Sequence, residues 1–246
     1  MPADESFLMS AMTESFATAF RLIVHADPAL VRTVALSLAV SGSACLCAAA
    51  FGLGSGAWLA VARFPGQRAV LLSLDTLLAL PSVVVGLVVY LLLSRSGPLG
   101  SLGILFTPTA MVIAQTILVL PIVAALARQV VADALREGGD QLRSMGAGAF
   151  ASALLMLLHE RWAVATLMLI AFGRAIAEVG AVMIVGGNID GVTRVMTTTI
   201  ALETSKGDLP LALALGLVLL ALVGLLNLLT AVIAHGPARP LALEAR

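Results

Sequence analysis

Apolar positions in this chain run together in long unbroken stretches, and short polar segments separate them. No charged side chain occurs from Thr33 to Ala62, which predicts a helix over 34–61. Asp75 is the one charge from Ala69 to Ser94, and a second helix is expected over 70–93. The next charge-free run lies between Arg95 and Arg128. It opens with Ser96-Gly97-Pro98-Leu99-Gly100, a turn sequence, so the third helix is expected over 107–127. A fourth is expected over 162–186, with Arg174 and Glu178 inside it, and a fifth over 209–234. Each stretch reaches the roughly 20 residues that a bilayer-crossing helix needs. The pattern predicts an all-α membrane protein with about five transmembrane helices and its termini on opposite sides.

Composition removes the soluble alternative. Of 246 residues, 60% are hydrophobic and 11% charged, and the mean hydropathy is +1.07. A soluble domain carries about 25% charged residues. The formal net charge is +0, so no overall field draws in nucleic acid. Cys45 and Cys47 stand two apart, on nearly opposite sides of a helix, and read as small apolar residues. His25, His159 and His235 are scattered, and no metal site is expected. The chain has no G-x-x-x-x-G-K-[ST], no H-E-x-x-H and no G-x-S-x-G. Neither bound ATP nor another cofactor is expected on it, nor is it expected to be an enzyme.

Basic residues in short loops set the expected orientation. Arg63, Arg68, Arg128, Arg136, Arg143, Arg161, Arg239 and Arg246 fall on one side; Arg21, Arg32, Arg95, Arg194 and Lys206 fall on the other. The richer side is expected to be cytoplasmic. That places the N-terminal segment 1–29 outside and the tail 236–246 in the cytoplasm. Residues 1–29 lack the pattern of a cleavable signal. Phe7, Phe16, Phe20 and Leu22 could form the apolar face of an interfacial helix, or the segment could be a frayed tail. No internal repeat is evident.

Several residues within the apolar runs stand out. Pro81 and Pro121 would each break a helical hydrogen bond, either at a gate in a pathway or where packing tolerates a kink. Gly52 and Gly56 form a small-xxx-small pair, suited to close packing within the subunit or to a dimer contact. Arg174 and Glu178 are four apart on one helix face. Two readings stand for them: the lining or gate of an anion pathway, or a self-neutralised structural pair. The segment 128–161 is the one long charged region. Gly146-Ala147-Gly148 divides it, which predicts a helix, a tight turn and a second helix, presented for docking by another protein.

This segment resembles the coupling motif of ATP-binding-cassette importer permeases, E-A-A-x3-G-x9-I-x-L-P. Asp140-Gln141-Leu142 stands at E-A-A, Gly146 at the glycine, and Met156-Leu157-Leu158-His159 at I-x-L-P. The glycine and Leu158 match outright. The stretch Phe172 to Ile189 is similar to the F-x-R-A-x-x-E-x-G-A…G-N-I pattern of molybdate- and tungstate-type permeases. Leu80-Pro81-Ser82-Val83-Val84-Val85-Gly86-Leu87, Ser96 to Gly100 and Leu105 to Ala110 also fit, and Ile200 to Asp208 looks like the tungstate branch. The resemblance covers about 30–235.

The resemblance implies a type I importer permease in the bacterial cytoplasmic (inner) membrane, acting as a homodimer. Two cytoplasmic ATPase subunits, which hold the ATP, would grip Asp140, Gln141, Leu142, Gly146, Ala147 and Gly148. An extracytoplasmic binding protein would deliver a tetrahedral oxyanion, tungstate first, with molybdate or sulfate as the alternative. An ATP-independent secondary anion transporter is a further alternative. Pro81, Pro121, Arg174 and Glu178 are the candidates for pathway and gate. The threonine-rich segment 187–208, with Asn188, Thr197, Thr198 and Thr199, is either a docking surface for the binding protein or an ordinary solvated connection.

Overall fold

The computed structural model describes residues 15–234. The expectations for 1–14, Phe7 included, and for the tail 236–246 lie outside the described residues. The helices are α1 (Ser15–Val24), α2 (Pro28–Val61), α3 (Gln67–Leu78), α4 (Ser82–Leu93) and α5 (Pro108–Ser144). There follow α6 (Ala149–His159), α7 (Arg161–Ile176), α8 (Gly180–Gly186), α9 (Met196–Lys206) and α10 (Leu209–Ala234). A 3-10 turn at Gly100–Leu102 precedes α5, and no strand occurs among the described residues. By length and apolar character α2, α5 and α10 can each cross a membrane; counting the broken pairs α3–α4 and α6–α7 as one span each gives up to 5. The fold is all-α, as the apolar runs dictate, since a backbone in lipid must bond to itself.

Two of the expected helices are interrupted. The stretch 70–93 breaks around Pro81, which stands ahead of α4 with φ −63° and ψ 126°. Proline lacks the N–H that would continue the ladder and pushes its predecessor out of the α region. Pro81 is therefore a helix start and not a kink within a continuous helix. The stretch 162–186 breaks at Ala177–Val179, between α7 and the short α8. Pro121, by contrast, lies inside α5, which runs 37 residues through it. Pro108 opens that helix at the first position, where a missing N–H costs nothing.

The described chain forms two compact units. The first gathers the described residues up to Ala44, Leu80–Leu118 and Arg174–Val223. Its core joins Val40 of α2, Val85 and Val89 of α4, Met111 and Ala114 of α5, and Ala181, Val182 and Val185 of α8. The α4–α8 contact is close: a Cβ on Gly86 would sit 2.7 Å from the Ala181 Cα. The second unit gathers Cys45–Ala79, Val119–Gly173 and the described residues from Gly224. There Gly52 and Gly56 pack α2 on α5; a Cβ on Gly52 would lie 2.9 Å from Val123 Cγ1, and one on Gly56 would lie 2.9 Å from Ala127 Cβ. The small-xxx-small pair thus serves packing within the subunit. Lipid is as apolar as leucine, so such close approach, rather than escape from water, holds these helices together. In α1, Phe16, Phe20 and Val24 are exposed at helical spacing.

Candidate functional site

Each unit contains a helix break that gathers sequence-predicted polar residues. In the first unit the break after α7 carries Glu178, whose side chain is 3% exposed. The Arg174 guanidinium donates to its Oε2 at 2.7 Å, from one turn earlier on α7. The Ala181 N–H donates to Oε1 at 3.1 Å, and the Ser82 hydroxyl at the start of α4 stands beside the same carboxylate. The Glu178 carbonyl accepts the Thr197 hydroxyl at 2.7 Å. On the other side of the break, the Gln115 side-chain amide donates to the Ala175 carbonyl at 3.0 Å.

The charge and the freed backbone of this break are answered almost entirely from within the unit. One atom is not: Gln115 Oε1 is buried without a partner among the described residues. Arg174 is 45% exposed, and Glu178 neutralises its charge. A guanidinium in that state can offer two parallel N–H groups to an oxyanion. It cannot trap a dianion strongly, which suits a site that must release.

In the second unit α5 ends at Ser144, and the Ala147 N–H bonds back to the Leu142 carbonyl at 3.0 Å, closing a Schellman turn. Gly146 takes φ +80° there, a conformation that side chains with a Cβ resist. Gly148 is extended and starts α6. The helix, turn and helix read from the glycines are present. Asp140 and Gln141 are exposed, as are Gly146, Gly148 and the flanking Met145 and Phe150. A cleft of about 520 Å³ lies between the end of α5 and α6, lined by Gln141, Leu142, Met145, Met156 and His159 among others.

The threonines of the segment after α8 are not its surface. Thr197, Thr198 and Thr199 are buried, and their hydroxyls bond the Glu178 carbonyl, the Val195 backbone and the Val195 carbonyl respectively. Asn188 is half-buried with φ +51°, and its side chain donates to the Thr198 carbonyl at 3.4 Å. The first N–H groups of a helix need acceptors, and these residues hold the start of α9. Ile189, Asp190 and Val192 are among the exposed residues of the segment. The structure thus joins Arg174, Glu178, Thr197 and the Pro81-Ser82 corner, whereas Pro121 falls in the second unit. No three His, Cys, Asp or Glu side chains gather as for a metal among the described residues.

No family profile matches the chain. It is 42% identical over 219 residues, 89% of this chain and 96% of the relative, to the tungstate uptake system permease protein TupB of Peptoclostridium acidaminophilum. It is 37% identical over 217 residues, 88% of this chain and 91% of the relative, to the protein of the same description from Campylobacter jejuni. The chain belongs to this permease family. A probable anion ABC transporter permease protein of Haloferax volcanii shares 43% identity over 79% of the permease and 86% of its own length. These relatives are transport subunits, and the permease, with its long apolar helices, is a multi-pass membrane protein.

Sequence reasoning found Arg174, Glu178 and the turn at Gly146, and missed Ser82 and Gln115. Gln115 had a signal: it is the one amide side chain in the charge-free run between Arg95 and Arg128. Ser82 had none, because serine is common wherever a helix starts. The polar groups of the break also explain why the fourth stretch need not be one continuous helix in the permease.

Proposed function

We propose that this permease is the membrane subunit of an ATP-driven, binding-protein-dependent importer of a tetrahedral oxyanion, tungstate. The end-to-end likeness to tungstate uptake permeases from two organisms carries the reading. The subunit acts as a homodimer in the cytoplasmic membrane, with its N-terminus outside and its C-terminus in the cytoplasm. The exposed turn from Asp140 to Gly148 is the grip for two cytoplasmic ATPase subunits, which bind and hydrolyse the ATP. The apolar Met145 and Phe150 and the cleft behind the turn supply buried area for that contact. An extracytoplasmic binding protein delivers the anion to the face bearing Ile189, Asp190 and Val192. Arg174 meets the passing anion with its free donors, and Glu178 keeps the encounter weak.

The test is deletion of the gene followed by mass spectrometry of cell-associated tungsten and molybdenum at trace supply of both, in cells with no second importer. Loss of tungsten alone is the expected result, restored by the native gene and not by Gly146→Pro or Asp140→Lys. Loss of molybdenum would move the substrate to molybdate, and no change in either metal would remove the oxyanion assignment. Unimpaired uptake in both variants would overturn the coupling role of the turn.

A further inference from the structure

A second cavity, of about 290 Å³, lies wholly in the first unit, where α2 and α10 begin. Leu36, Leu211 and Leu215 give it an apolar side. Two arginines, Arg32 and Arg194, supply its donors, and the acids at its wall are Asp190 and Glu203. Each acid already has a cation: Arg194 meets Asp190 at 3.2 Å, and Lys206 meets Glu203 at 3.0 Å. Arg32 has no carboxylate among the described residues; its Nε donates to the Pro28 carbonyl at 3.1 Å and its terminal nitrogens are left. Arg194 Nε is buried and has no partner among the described residues. The wall hydroxyls, Thr33 and Thr199, are both spent on helix carbonyls. What remains open is a set of guanidinium donors beside an apolar wall.

We infer that Arg32 and Arg194 form a binding site for a singly charged phosphate-type oxyanion, held at the end of the long helices. Two guanidinium groups suit such an anion because each can give paired N–H bonds to its oxygens. The two acids in the wall, Asp190 and Glu203, oppose a dianion more than a monoanion. The oxyanion can be the phosphodiester of a lipid headgroup, whose chains would lie along the partly exposed Leu36 and Leu211, or a free phosphate. The site is separate from the Arg174–Glu178 pair and does not depend on which anion is transported.

Delipidated permease in detergent is titrated separately with phosphatidylglycerol and with inorganic phosphate, and bound species are counted by native mass spectrometry. The expected result is one saturable phosphatidylglycerol per subunit, weakened about tenfold by Arg32→Gln and by Arg194→Gln, with Arg32→Lys nearer to wild type. Saturable phosphate binding, lost in the same variants without lipid binding, would keep the site and assign it to a free ion. Arg32 is exposed and makes one local backbone bond, so its variant reads the site even if Arg194→Gln perturbs the loop. Binding of neither probe, or binding unchanged in Arg32→Gln, would overturn the inference.

Discussion

The break at Glu178 and the turn at Gly146 are both places where a helix stops at polar residues, and they are built in opposite ways. Each contains a hydroxyl-to-carbonyl bond of 2.7 Å, Thr197 to Glu178 in one and Ser144 to Gln141 in the other. Thr197 is 6% exposed, whereas Ser144 is exposed. Five helices, α4, α5, α7, α8 and α9, converge on one carboxylate and the loose backbone around it. The exposed turn closes with bonds among its own neighbours and one glycine. Without water every unpaired group is costly, so the first must be assembled by the fold. With water at hand, the second needs no such assembly.

The largest break in that contrast should come from Glu178→Leu. It leaves Arg174 without its counter-charge and the Ala181 N–H unpaired, and is expected to lower stability by about 3 kcal/mol, since Arg174 is only half buried. Thermal unfolding in detergent measures it, and Glu178→Gln should lose about half as much. A change below that of Glu178→Gln would mean the carboxylate is not holding the break. Next, Gly86→Val forces a side chain into the Ala181 backbone and should cost about 2 kcal/mol by the same measurement. An unaltered melting temperature would show that α4 and α8 can separate freely.

Smaller effects sharpen the comparison. Thr197→Val should cost about 1 kcal/mol, with Thr197→Ser close to wild type, while Ser144→Ala should cost under about 0.5 kcal/mol. Equal losses for the two hydroxyls would erase the difference in environment. Gly146→Ala should cost about 1 kcal/mol through its positive φ while leaving membrane insertion intact. Its larger consequence is expected in retention of the ATPase subunits during purification. Full retention and full uptake together would detach the turn from coupling.

Much of the helical order was legible from charge-free runs alone. The run ending at Ala62 appears as α2, although the helix begins earlier, at Pro28, because Asp27 accepts the N–H groups of Ala29 and Leu30. Gly146 and its neighbours read correctly as a turn, since only glycine enters that backbone region without strain. The Arg174–Glu178 pair was legible as well, being four residues apart on one helix. What could not be read was the rest of the knot. Gln115 reaches Ala175 across a separation of 60 residues, and Thr197 reaches Glu178 across 19. The threonines after α8 looked like surface for the same reason: a polar residue in a polar segment gives no sign of which way it turns.

The sequence by itself determined that this is an all-helical membrane protein, where its apolar runs lie, and where a glycine turn must fall. These follow from local rules, the solubility of each segment and the φ angles each residue tolerates. Only the tertiary structure decided that Pro81 starts a helix, that Gly52 and Gly56 serve internal packing, and that Arg32 and Arg194 share a cavity. Those outcomes depend on which distant groups arrive to fill a hydrogen bond or a void, and pairing across the chain is not encoded in the spacing of either partner alone.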